Sequence, residues 1–195
     1  MRLTLLLATL FAVVGSGLAE STKFSLKTTG AKQTVQFVSD APIEKIVGKT
    51  SEANGEVSLD LANLPSGAGG SIRVNMKSLD TGLSLRNEHM RDNHLQTEEF
   101  PEAVFTITSI VTAEPADISA GGTSNTLVRG ELDLHGVKKQ YEMLGRIAYD
   151  PATSTLTASY KWDVLLQDHA IPRPEFLFMK LSDTQQITVE LEFGR

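Results

Sequence analysis

Glu88, His89, Met90, Asp92 and His94 gather oxygen, nitrogen and sulfur donors within one short run of "EHMRDNH", the grouping a transition-metal site would need. The spacing argues against it. His89 and His94 are five apart, which on a helix sets them roughly 140° round the axis, whereas paired zinc histidines sit four apart on one face. A metal centre or enzyme built on Glu88–His94 is therefore an alternative, weaker than a polar helix with a half-exposed histidine. His135 precedes Gly136 in a turn signal and His169 lies in a proline-rich stretch, so neither completes a set. Nucleophilic catalysis lacks its usual marks: there is no Gly-x-Ser-x-Gly elbow, no Ser-x-x-Lys pair and no cysteine. Glu98 and Glu99 are adjacent near a helix start and read as solvated capping charge. Gly67, Gly69 and Gly70 in "PSGAGGS" precede strand sequence, with no helix to receive a phosphate.

The elements that would position these residues are strands. From Thr34 onward apolar residues recur every second position, which places them on one face of a pleated strand. Val57, Leu59 and Leu61 form one such set, and Ile72, Val74 and Met76 a second. Tyr141, Met143 and Ile147 follow, then Leu156, Ala158, Tyr160 and Trp162, and finally Ile187, Val189, Leu191 and Phe193. Asn54-Gly55, His135-Gly136 and Asp150-Pro151 carry hairpin signals, and Pro115–Asn125 reads as a loop. Two stretches break the alternation. Ser84–Leu95 holds no Gly or Pro and predicts a short helix with Leu85, His89 and Met90 near one face. Leu165–Lys180 holds two prolines that forbid a central strand, so it should cross one end of the sheet. Many strands with one apolar face must close into a barrel or pair as a sandwich. A barrel of about eight strands is either just filled by side chains or holds one small ligand.

Residues 1–19 read as a cleavable signal peptide: Arg2 is the positive start, Leu3–Val14 the apolar run, and Gly17-Leu18-Ala19 the small residues before the cut. The rest, 20–195, reads as one domain without a membrane span, outside the cytoplasm. The net charge is −6, and removal of Arg2 takes it to −7. Lys and Arg are scattered, so a nucleic-acid backbone finds no basic face to bind. With no cysteine, stability rests on packing and hydrogen bonds alone.

Three stretches, "MRDNHLQTEEFPEAVFTITSI", "VRGELDLHGVKK" and "WDVLLQDHAIPRPEFLFMKLSDTQQITVELEF", occur in that order. Together they resemble the landmarks of the YceI-like family, exported bacterial proteins that bind polyisoprenoid or other long-chain lipids. The likeness runs from about Thr22 to Phe193. It rests on His94, Leu95, Thr97, Phe100, Pro101 and Phe105, and on the Leu132–Lys139 hairpin pattern with His135-Gly136-Val137-Lys138. Two departures stand out: a compressed "EEFPEAVF", and Ala170 where the family frequently has glycine.

The resemblance implies an all-β, extended lipocalin-like antiparallel barrel with a short helical excursion, Ser84–Pro101, that covers it. It implies a non-catalytic periplasmic carrier or sequestering protein. The expected lining is Phe37, Leu59, Val74, Met76, Leu95, Phe100, Phe105, Ile107, Leu132, Tyr141, Met143, Tyr160, Trp162, Ile171 and Phe178. No metal or catalytic residue is expected, and no cofactor beyond a bound polyisoprenoid, prenyl quinone or fatty-acid-like ligand. A homodimer is left open. The second alternative to a lipid carrier is a filled barrel acting through its surface as an envelope stress or interaction protein.

Overall fold

The structure, a computed structural model, describes residues 21–28, 33–41, 44–176 and 179–195. The signal segment and Phe178 lie outside the described residues. The period-two runs are strands: β1 (Thr22–Leu26), β2 (Thr34–Asp40), β3 (Lys45–Thr50), β4 (Ala53–Leu59), β5 (Gly69–Asn75), β6 (Glu102–Glu114), β7 (Gly122–Leu134), β8 (Val137–Asp150), β9 (Thr155–Leu165) and β12 (Thr184–Gly194). Between the last two a small antiparallel pair, β10 (Glu175–Phe176) and β11 (Met179–Lys180), stands apart from the main sheet.

Closure follows from how β12 shares its edges. One edge pairs with β9 along its whole length. The other pairs first with β2, Gln185 opposite Ser39 through Glu190 opposite Thr34, and then with β1, Leu26 opposite Phe193. In the same way β3 lies along β2 and β4 along β1. β1 with β2, and β3 with β4, thus act as two long interrupted strands. With β5, β6, β7, β8, β9 and β12 they make an eight-stranded up-and-down antiparallel barrel. The expected fold is borne out, and the sheet closes on itself through β12, which pairs with β9 on one edge and with β2 and β1 on the other.

The local signals are partly redirected. His135-Gly136 is the β7–β8 turn, with positive φ at both residues (54° and 72°) as a two-residue hairpin requires. Asp150-Pro151 opens the β8–β9 turn. Asn54-Gly55 is not a turn. It lies inside β4 opposite Arg73 and Ile72, and Gly55 (φ 147°) is glycine because a Cβ there would overlap the carbonyl oxygen of Ser71. The loop expected over Pro115–Asn125 is shorter, because β7 already starts at Gly122. In β6, a register shift between Ile107 and Ser109 moves the inward face from odd positions to Ile110, and a second between Ile110 and Thr112 returns it to Ala113.

The barrel has two unlike ends. At one, the β4–β5 and β6–β7 loops are joined by Leu64 N–H to Ala116 O (2.9 Å) and Ile118 N–H to Leu61 O (2.8 Å). These bonds bury Leu64 and Ile118 completely against Phe24, Leu59 and Phe193, and they plug that end. The other end carries the β7–β8 turn, the β9–β12 crossover and the excursion between β5 and β6. The excursion contains α1 (Ser84–His89), continued by one wider turn, Met90–His94. Leu85 is 65% exposed, and the helix is held by buried Asn87. Its side-chain oxygen accepts from Thr81 N–H (2.8 Å) and Thr81 Oγ1 (2.7 Å), and its amide donates to Asp80.

The crossover turns at Ala170, whose φ of 53° is the left-handed conformation that favours glycine. Opposite outcomes are expected at two positions. Ala170→Gly should raise the urea midpoint by the equivalent of about 0.5–1 kcal/mol, and Gly55→Ala should lower it by about 1–3 kcal/mol.

Candidate functional site

Inward residues of β2, β4, β5, β6, β7, β8, β9 and β12 meet on the barrel axis, yet they do not fill it. A cavity of about 190 Å³ remains, and its wall presents no polar atom. A dry apolar cavity of about 150 Å³ is large enough to take up a benzene-sized guest. The resting lumen is therefore a preformed apolar site.

Glycines opposite aromatics keep the space open. Phe37 faces Gly48 across the β2–β3 ladder, Tyr160 faces Gly145 across β8–β9, and Phe105 in β6 lies over Gly130 in β7. At each glycine a Cβ would overlap the aromatic ring. The rings therefore lie flat in the volume that the missing side chains vacate. Near the mouth, Ile187 of β12 is paired on one side with Trp162 and on the other with Phe37, which sets those two aromatics at one level. The Phe105 and Trp162 rings approach to 6.4 Å between centroids, although β7 and β8 separate their strands. Their contact spans part of the bore, and this aromatic level is what a guest must pass.

Of the expected lining residues, Phe37, Leu59, Val74, Met76, Phe105, Ile107, Leu132, Met143, Tyr160 and Trp162 are on the cavity wall. Four others are not. Leu95 sits in the excursion, and Phe100 packs on His135 (4.3 Å between centroids) and over Gly136, outside the mouth. Ile171 is buried in the crossover. Tyr141 packs against the core with its hydroxyl 3.0 Å from His169 Nε2. These four brace the mouth because they belong to, or reach toward, the connections outside the strands. Val35, Ile110, Val128, Val189 and Leu191, which are not among the expected lining, also line the wall. The alternation of β12 carried the signal for the last two, and the bulges of β6 hid Ile110.

The histidines hold the mouth together. His169 is fully buried, and its Nδ1 faces two carbonyl oxygens, Val137 at 3.0 Å and Leu134 at 3.2 Å. Nδ1 must therefore carry the proton, which leaves Nε2 to accept from the Tyr141 hydroxyl. His135 Nδ1 bonds the carbonyl of His169 (3.1 Å) and His94 Nδ1 that of Pro172 (2.9 Å). The crossover is thus tied to both the turn and the excursion. Among the described residues no group of three His, Asp or Glu side chains is placed to hold a metal ion.

Burial lowers the pKa of His169 below 6.5, against weaker opposing effects from the two carbonyls and Asp168. Burial likewise raises the Tyr141 hydroxyl, with the Asp168 charge adding to it, and pushes Tyr160 up to about 12 although Thr126 hydrogen-bonds it.

Residues 26–193 match the family model described as a YceI-like domain. A UPF0312 protein of Shewanella denitrificans is 31% identical over 118 residues, and the match covers 60% of this chain and 57% of that relative. A second, from Shewanella baltica, is 28% identical over 137 residues, 67% of each chain. The chain thus spans less than two thirds of the first relative's length. The fold is similar to that of BcnA from Burkholderia cenocepacia, with TM-score 0.70 and 18% identity over 86% of this chain and 98% of that one. It is also similar to a polyisoprenoid binding domain from Saccharophagus degradans, with TM-score 0.65 and 18% identity over 88% and 97%. At those identities the likeness concerns the fold.

The lowered His169 pKa has a sign. Above pH 6.5 the imidazole is neutral folded or unfolded and contributes no pH dependence. As pH falls through 6.5 the unfolded chain takes the proton first, so stability is lost toward the folded pKa. Asp80, Asp117 and Asp150, whose hydrogen bonds hold their carboxyls below 3.8, titrate beneath this window. The urea midpoint should fall between about pH 7.5 and pH 5, and the fall should be smaller in His169→Asn; equal slopes would remove His169 as its source.

Proposed function

The chain belongs to the YceI-like family, and from that premise we propose that it is a non-catalytic carrier or sequestering protein that takes the tail of a long-chain isoprenoid or related lipid into its barrel. The observation that carries this reading is the cavity without a polar atom on its wall, plugged at one end and covered at the other by hydrogen-bonded connections. A hydrocarbon tail suits such a wall, and a polar substrate would lose its water without recovering hydrogen bonds.

Each buried methylene-sized group contributes about 0.8 kcal/mol, so one five-carbon prenyl unit is worth on the order of 3–4 kcal/mol before ordering costs. A few units reach micromolar affinity, which corresponds to about −8 kcal/mol. The resting lumen is smaller than the ~300–1,000 Å³ of a drug-sized pocket. Uptake of several units therefore requires the Phe105 and Trp162 rings, which meet across the lumen, to part and flexible Met76 and Met143 to repack, which their unbranched side chains permit.

The signal-like residues 1–19 and the family support a periplasmic setting. Among the described residues no helix is long and apolar enough to cross a membrane.

Organic extraction of the purified protein followed by mass spectrometry should yield a prenyl or fatty-acyl compound in roughly stoichiometric amount, or the emptied protein should take up a prenyl quinone. Trp162→Asp, which sets a charge on the wall, should lose that uptake, read on the fraction of the variant that circular dichroism shows to be folded. An empty extract combined with no uptake by the wild type would favour a barrel that acts only through its surface.

A further inference from the structure

The glycines beneath the aromatic rings differ in what else surrounds them. At Gly130 and Gly145 a side chain would press on the neighbouring ring and also on a backbone carbonyl, that of Thr106 or Ser159. At Gly48 the three nearest atoms, Cε1, Cζ and Cδ1, all belong to the Phe37 ring, and no backbone atom comes as close. That ring is the first group that would have to yield. Ile187 pairs with Phe37 from the opposite flank and also faces the cavity. A ring pushed off Gly48 is therefore driven toward the axis, at the level where Phe105 and Trp162 already span part of the bore.

Gly48 itself is buried in the wall of β3 and touches no guest. It acts through the ring it houses. A methyl-branched prenyl chain is thicker at every branch than a straight alkyl chain, so the free width at this level decides between them. Resting on the lipid-binding reading above, we propose that Gly48 is a specificity-determining position: by housing the Phe37 ring in the wall it sets a bore wide enough for branched, isoprenoid-type chains.

The test measures the affinity of the full protein for geranylgeraniol, a branched probe, and for hexadecanol, a straight one. Gly48→Ala should weaken geranylgeraniol about tenfold, the scale of one overpacked methyl, and hexadecanol by less than about threefold. The double variant Gly48→Ala/Phe37→Leu should restore both. Equal losses for the two probes, or none, would overturn the proposal. Phe37→Ala needs no space at Gly48 and serves if the first variant does not fold. It should admit retinol, whose ring is thicker still, where the wild type binds it poorly, and an unchanged thickness limit would count against the idea.

If the wild type binds none of these probes, the lipid reading fails and the bore is read by crystals under xenon pressure. Xenon should occupy the lumen beside Phe37 in the wild type and be lost in Gly48→Ala. Equal occupancy would refute the role of Gly48 by itself.

Discussion

A closed ring of eight strands leaves so little room inside that ordinary side chains would fill it, and large aromatics at inward positions would overfill it. This protein carries such aromatics at Phe37, Phe105 and Tyr160, and it remains hollow because each ring lies across a glycine of the adjacent strand. The pairing exchanges side-chain volume between neighbouring strands. The aromatic supplies buried apolar surface and covers a stretch of backbone that the glycine leaves bare. Open space on the axis is the result, and the rest of the molecule is arranged around it.

That space is useful only if its ends are treated differently. Leu64 and Ile118 close one end with side chains brought inward by two loop-to-loop backbone bonds. The mouth is closed by polar contacts. Asn87 holds the excursion, His169 and His135 hold the crossover to the β7–β8 turn, and His94 bonds the crossover from the excursion. Hydrogen bonds of this kind contribute about 0.5–1.5 kcal/mol each. Individually they can open while the packed barrel stays folded, so local opening at the mouth costs far less than global unfolding. A fixed plug and a releasable cover suit one guest entering from one side.

Much of this was legible in the chain. Period-two alternation located the main strands because one face of each is buried. The prolines of the crossover marked a segment that could not join the sheet, and a run without Gly or Pro marked the excursion. Physical reasons account for the rest. Asn54-Gly55 carries a strong turn signal, but its glycine answers a close backbone approach across β4 and β5. The two bulges of β6 change which residues face inward without a distinctive residue to announce them. Leu95, Phe100 and Ile171 are apolar for the sake of the mouth's packing, which composition cannot separate from the wall. The pairing of Phe37 with Gly48 depends on strand register, a long-range property, and was out of reach until both strands were in place.

Trp162 is the single tryptophan of the chain and stands on the cavity wall at the aromatic level, so its fluorescence reports on that place alone. Titration with a fatty acid bearing bromine atoms along its chain is the most direct test of a hollow that takes up a tail. Saturable quenching at one equivalent, insensitive to added soluble quencher, is the predicted result. Quenching that rises linearly without saturation, as random collisions would give, contradicts an interior binding site.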